Sequence, residues 1–223
     1  MAVLPLGEAA FTVRLGSAAT VENAERAAAL AEAIRNAAIE GVTEVVPSVA
    51  SVSVYYDEVG GSGGGGRREG IEKALVQLSA LISNPSSLYP SLSRSLLAPH
   101  VVPVIYDGED LQEVADRTGL SQAEVVRRHS SPEYHVLALG FLPGWAYLGP
   151  LDPALKLPRR TTPRTRIPAG AVAIAGVQTG IYPRVSPGGW HLIGHTDVVL
   201  FDPKRDRPTL FRAGDRVRFV RVP

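Results

Sequence analysis

The chain has 223 residues, no cysteine, a formal net charge of +1 and 45% hydrophobic residues, a size and texture that suit one large or two small folded domains. The missing cysteines exclude thiol nucleophiles, disulfides and cysteine-bound metals. The near-neutral charge argues against an extended nucleic-acid footprint, and no run of about 18 apolar residues offers a membrane-spanning helix.

The opening MAVLPLGEAA has no basic start and carries Glu8 where a signal peptide needs apolar continuity, so a cytoplasmic protein is expected. Phe11 to Leu15 alternates and predicts a strand. Val21 to Ala38 is Ala-rich with three- and four-residue apolar spacing, which predicts a helix capped by Thr20 or Asn23 and ended by Gly41. Val42–Val46 and Val49–Tyr56 predict two strands about a Pro47-Ser48 turn, with Val52 and Val54 facing away from Ser51 and Ser53. Gly60 to Gly66 reads as a flexible loop, because the Lys-Ser/Thr pair of a phosphate-binding loop is absent. From Arg68 to Ile82 a second helix gathers Ile71, Leu75, Leu78 and Leu81 on one face. This order is that of a split βαβ sandwich, completed by a strand near residues 99–105.

Asn84 to Arg94, rich in Ser and Pro, reads as a connection between domains. Val101–Tyr106 predicts a strand, followed by short helices over Asp110–Thr118 and Ser121–His129, the second opened by a capping box of Ser121 and Glu124. Beyond His129 the texture changes to short apolar runs between Gly/Pro turns, at Val136–Leu139, Ala171–Ala175, Val198–Phe201 and Arg216–Val220. That is the pattern of a β-barrel or sandwich.

Three segments could carry chemistry. In GFLPGWAYLG the aromatics Phe141, Trp145 and Tyr147 alternate with turn formers; they either wall a binding site or fill the end of a barrel. Between Pro153 and Thr196 there is no Asp or Glu, while Arg159, Arg160 and Arg164 lie on a Pro-stiffened stretch suited to a carboxylate or phosphate. Gln178 and Tyr182 offer neutral hydrogen bonds, Gly188 and Gly189 permit close backbone approach, and Trp190 follows them. His191 and His195 sit four apart in a β-rich stretch, which excludes a helical zinc motif, and no nucleophile-elbow motif accompanies Ser186, His191 or Asp197. No metal site is expected.

His129, Tyr134-His135-Val136, GFLPGWAYLG, PRRTTPRTRIPAGAVAIAGVQTGIYP, SPGGWHLIGHT and LFDP together resemble the carboxyltransferase subdomain of the family that holds the 5-oxoprolinase B subunit (PxpB) and the kinase A inhibitor KipI, in older usage allophanate hydrolase subunit 1. The resemblance extends to Val102–Asp107, Asp110-Leu111 and the stretch from Val46 to Asp57. It implies an α+β chain with a ferredoxin-like N-terminal domain (1–90) and a cyclophilin-like β-barrel C-terminal domain (91–223). It implies one component of an ATP-dependent 5-oxoprolinase, inactive alone, that opens 5-oxo-L-proline to glutamate. Its partners would be a KipA-like homologue (the C subunit) and a LamB/YcsF-type protein (the A subunit). ATP is then used by the complex, and this chain needs neither metal nor biotin. The substrate-binding residues on this reading are Arg159, Arg160, Arg164, Gln178, Tyr182, Gly188 and Gly189, walled by Phe141, Trp145, Tyr147 and Trp190, with His129 and His195 as candidates for acid or base. The same resemblance also admits a regulator that docks on a sensor histidine kinase, or half of a carboxyltransferase of the urea carboxylase kind. The chain departs from the family pattern at Trp145-Ala146 and at His195, where an arginine is usual.

Overall fold

A computed structural model describes residues 1–18, 20–57, 64–81 and 98–223. The chain divides into two compact units, Met1–Arg94 and Ser95–Pro223. In the first, strands β1 (Ala2–Pro5), β2 (Ala10–Arg14), β3 (Val42–Pro47) and β4 (Ser51–Tyr56) form one antiparallel sheet in the order β1-β2-β4-β3. Helix α1 (Val21–Asn36) connects β2 to β3, and its first turn is capped by Thr20, whose side chain accepts the Asn23 N–H at 3.2 Å. Helix α2 (Gly64–Leu81) begins inside the glycine-rich stretch; residues 60–63 of that stretch lie outside the described residues, as does the Asn84–Arg94 connection.

The alternation in β4 has its expected consequence. Val52 and Val54 are buried against Leu30 and Ile34 of α1 and Ile71 and Leu75 of α2, in one apolar core with Phe11 and Val13. Burying each such side chain contributes roughly 1.5–3 kcal/mol. One expectation is corrected. The strand near residues 99–105 does not complete this sheet, because the edge place beside β2 is already taken by β1.

That strand, β5 (His100–Val104), belongs to the second unit. There α3 (Leu111–Thr118) and α4 (Gln122–Ser130) precede β6 (Glu133–Leu139), β7 (Ala146–Gly149), a 3₁₀ turn at Pro153–Leu155, β8 (Arg164–Ile167), β9 (Ala171–Ala175), β10 (Gln178–Ile181), β11 (Ser186–Gly188), β12 (His191–His195) and β13 (Arg216–Arg221). Seven strands run in the order β12-β9-β10-β7-β6-β13-β5, all antiparallel except the β13–β5 pair. The two edges of this sheet meet at one bridge, with Ile105 and His195 exchanging N–H···O bonds of 3.0 and 2.8 Å. The result is a nearly closed barrel, which satisfies backbone groups that an open sheet would leave exposed at its edges. β8 and β11 form a separate two-stranded ribbon.

Val198–Phe201 makes no ladder; its one bridge joins Phe201 to Thr209. The capping box at α4 is only half formed. Ser121 accepts the Glu124 N–H, but the Glu124 carboxylate turns to Arg127 and Arg128. Among the described residues no helix is long and apolar enough to cross a membrane.

Candidate functional site

The arginine segment is free of acids in sequence but not in space. Arg160 Nη1 lies 2.8 Å from both Asp110 Oδ1 and Glu113 Oε2, and Arg164 binds both oxygens of Asp110 and reaches Glu109 at 3.2 Å. Asp110 stands just before α3, the position of a helix cap, yet it makes no capping bond. Its carboxylate, only 3% exposed, instead accepts the two guanidiniums and the Leu192 N–H at 2.7 Å. Burial alone would push the Asp110 carboxyl upward; the bonds from Arg164 and Leu192 and the nearby guanidinium charges outweigh it and hold the group below its ordinary range. Arg160 and Arg164 are therefore committed to clamping α3 against β12. Arg159, Arg166 and Arg184 are exposed and make no ion pair among the described residues.

The aromatic residues converge. Trp145, at the start of β7, lies edge-on to Tyr182 (4.7 Å between ring centroids), Trp190 (5.1 Å), Phe141 (5.5 Å) and Tyr147 (5.7 Å). Trp145, Tyr182 and Trp190 are buried, Tyr147 is half-buried, and Phe141 is 58% exposed with a left-handed φ of 68°. An exposed aromatic held in that region costs about 1–3 kcal/mol unless its surroundings require it. The indole N–H of Trp145 is buried with no acceptor among the described residues. Gly188 meets this cluster directly, since a methyl group there would sit 2.2 Å from the Tyr182 hydroxyl. The space glycine leaves is filled by Tyr182. Gly189 is less constrained; its carbonyl accepts the Arg160 N–H at 2.7 Å. Burial raises the Tyr182 phenol, while a backbone bond from Trp190 and the charges of Arg159 and Arg164 act against the rise.

Gln178 does not join this group. It opens β10 beside the Gly176-Val177 turn, while Tyr182 follows the far end of the same strand, roughly 13 Å away at strand spacing.

The two candidate histidines have opposite settings. His129 is fully buried between Tyr106 and Thr179, with its ring stacked 4.6 Å from Phe219. Thr179 spends its proton on the Ala173 carbonyl, so its oxygen accepts from His129 Nε2–H, and Nδ1 accepts the Tyr106 hydroxyl. Burial lowers the His129 pKa to about 3. It is a neutral core residue closed off from solvent. His195 lies at the barrel seam, partly exposed, with Nδ1 2.7 Å from Asp107 Oδ1. Sequence reasoning missed the acids. Asp110 and Glu113 read as the start of a helix, with Asp110 also part of the family resemblance, Glu109 drew no reading, and nothing local signals that Asp110 faces a segment 50 residues away.

Together these features define an α+β chain whose barrel is nearly closed, with a largely buried aromatic cluster beside a carboxylate-clamped arginine segment. The profile of the carboxyltransferase domain, subdomain C and D, matches residues 1–211. The 5-oxoprolinase B subunit of Bacillus subtilis (strain 168) is 38% identical over 97% of this chain and 91% of its own length. The chain belongs to the family of 5-oxoprolinase B subunits. The protein of that name from Haemophilus influenzae is 36% identical over 99% of this chain and 97% of its own. That from Escherichia coli O157:H7 is 57% identical over 53% of this chain, a match spanning 56% of the relative's length. Among solved structures, TTHA0988 superposes with a TM-score of 0.80 at 42% identity, covering 96% of this chain and 40% of that one.

Proposed function

We propose that this chain is the B subunit of an ATP-dependent 5-oxoprolinase, working with the A and C subunits to open 5-oxo-L-proline to L-glutamate, and inactive alone. The observation that carries the reading is the similarity to relatives of that name along almost the whole chain. The order β1-β2-β4-β3 with both helices packed into one core supports a ferredoxin-like N-terminal domain in which β1 takes the edge position; the seven-stranded barrel supports a cyclophilin-like C-terminal domain, with the boundary near residue 90.

The substrate is a small ring bearing a carboxylate and an amide. Phe141 and Tyr147, on the accessible side of the buried Trp145 cluster, offer apolar faces for the ring, and Arg159, whose charge acts on Tyr182, offers a guanidinium for the carboxylate. ATP is assigned to the complex. On this chain Arg160 and Arg164 are already neutralised, and Glu109, Asp110 and Glu113 beside them would repel a polyphosphate. The test is reconstitution with the purified A and C subunits. ATP-dependent release of glutamate from 5-oxo-L-proline is expected only when this chain is added, and equal release without it would overturn the reading.

A further inference from the structure

A cleft lies at the barrel seam, away from the aromatic cluster. Trp190 immediately precedes β12 and His195 ends it, so the two sites are separated by roughly the strand's length, about 13–17 Å. The cleft has a volume of about 260 Å³, with Ile105, Val198 and Val222 among its apolar walls and His195, Thr196 and Asp197 as its polar ones. This is smaller than the roughly 300–1,000 Å³ of sites for drug-sized ligands, and it suits a molecule of a few heavy atoms.

The polar groups have a defined sense. The Asp107 carboxylate can only accept, so the His195 Nδ1 beside it carries a proton, and the neutral tautomer that this bond selects has its lone pair on Nε2. The Thr196 hydroxyl oxygen is occupied by the Val198 N–H at 3.3 Å. Asp197 is exposed and makes no ion pair among the described residues. No Lys or Arg lines the cleft. Apart from the Thr196 hydroxyl, the polar side chains lining the cleft therefore supply acceptors, at His195 Nε2 and the Asp197 carboxylate, beside apolar walls.

We propose that this cleft binds a small organic cation, a primary ammonium on a short apolar stem. The ammonium donates to His195 Nε2 and Asp197, while the stem packs on Ile105, Val198 and Val222. Asp107 acts through His195, holding the tautomer that keeps Nε2 an acceptor. The inference does not depend on the 5-oxoprolinase reading, since it draws on a separate face of the barrel.

The experiment is a titration of the full chain, followed by ¹⁵N–¹H correlation spectra at low salt, with n-butylammonium chloride and, separately, sodium butyrate. Saturable shifts at the amides of Ile105, Thr196, Val198 and Val222 are expected with the amine, with a Kd on the order of 1 mM, and none with the anion. Asp197→Asn and His195→Leu should each weaken binding roughly three- to fivefold. The absence of saturable shifts, equal response to butyrate, or unchanged binding in both variants would each overturn the proposal. The amine-to-anion contrast in the unaltered chain decides the matter even if a variant folds poorly.

Discussion

Arg164 grips Asp110 through both carboxylate oxygens, Nη2 at 2.7 Å from Oδ1 and Nη1 at 2.9 Å from Oδ2, across 54 residues of chain. Because Asp110 also takes the Leu192 N–H and Arg160, one carboxylate ties together the start of α3, the arginine segment and the seam strand β12. Removing Asp110 leaves the part-exposed Arg160 and Arg164 with only Glu113 and Glu109 and takes the acceptor from the buried Leu192 N–H, at a cost of about 1–3 kcal/mol. Asp110→Ala is expected to destabilise the barrel by about that much, measured as a fall in the urea midpoint. The pH sign follows from the lowered carboxyl. Its contribution is fully present above the ordinary aspartate value near 4 and is lost as pH falls through the lower folded value. Wild type should therefore lose its advantage over Asp110→Asn only below about pH 4.

His129 predicts a separate loss at milder acidity. Its pKa is about 3 in the folded chain and about 6.5 in the unfolded one, so between those values the unfolded state binds the extra proton. Stability then rises with pH, and falls by up to roughly 1.4 kcal/mol per unit on acidification from about pH 6. Urea unfolding at pH 7 and pH 5 should show the difference, and His129→Gln should flatten it. Thr179→Val would leave the Nε2–H without its acceptor and should cost about 1–3 kcal/mol at pH 7. A variant of wild-type stability would contradict the hydrogen-bond chain.

These two networks show where sequence was informative. Alternation in Val49–Tyr56 and the Ala-rich spacing of Val21–Ala38 predicted elements that form at Ser51–Tyr56 and Val21–Asn36, because each is a local periodicity with a buried face; the helix stops at Ala37, short of Gly41. The turn-rich texture beyond His129 likewise announced an all-β barrel or sandwich, and the seam bridge at Ile105 and His195 makes it a nearly closed barrel. The placement of residues 100–104 was not legible, since a five-residue strand carries no record of which sheet has a vacant edge. Nor could the acid-free run from Pro153 to Thr196 reveal its partners, because Asp110, Glu109 and Glu113 reach it only through the packing of α3 on β12. The clustering of Trp145, Tyr182 and Trp190 was partly visible as aromatic spacing, but the separation of Gln178 from Tyr182 depended on which strand they share.

Gly188 and Tyr182 make a paired prediction. A methyl group at 188 would lie 2.2 Å from the Tyr182 hydroxyl and 2.9 Å from its Cζ. Gly188→Ala should therefore destabilise by about 1–3 kcal/mol through overpacking. Adding Tyr182→Phe removes the nearer atom and should restore part of the loss. A double-mutant cycle by thermal unfolding measures the coupling, and strict additivity would show that the ribbon simply moves aside.

Phe141 separates stability from function. It is mostly exposed and held at positive φ, so Phe141→Gly removes little buried area and relieves backbone strain. The variant should be as stable as wild type or slightly more so by thermal unfolding. If the exposed Phe141 face receives substrate, the same variant should raise the KM for 5-oxo-L-proline in the reconstituted complex several-fold or more. Wild-type KM would remove Phe141 from the site.

The arginines should divide in the same way, by what already neutralises them. Arg164 is bound by Asp110 and Glu109, so Arg164→Ala strands a buried carboxylate and should lower stability by about 3 kcal/mol before any effect on turnover is considered. Arg159 is exposed, has no ion pair among the described residues, and lies close enough to act on the Tyr182 phenol. Arg159→Ala should change the urea midpoint little, within about 0.5 kcal/mol. In the reconstituted complex it should raise KM for the carboxylate-bearing substrate roughly tenfold or more, the loss of a charge-assisted contact of about 1.5–3 kcal/mol. Arg159→Lys should recover some of this, as a point charge without the planar fork. If instead Arg159→Ala binds 5-oxo-L-proline as wild type does, the carboxylate is held by another group, and the exposed guanidinium near Tyr182 has no part in substrate recognition.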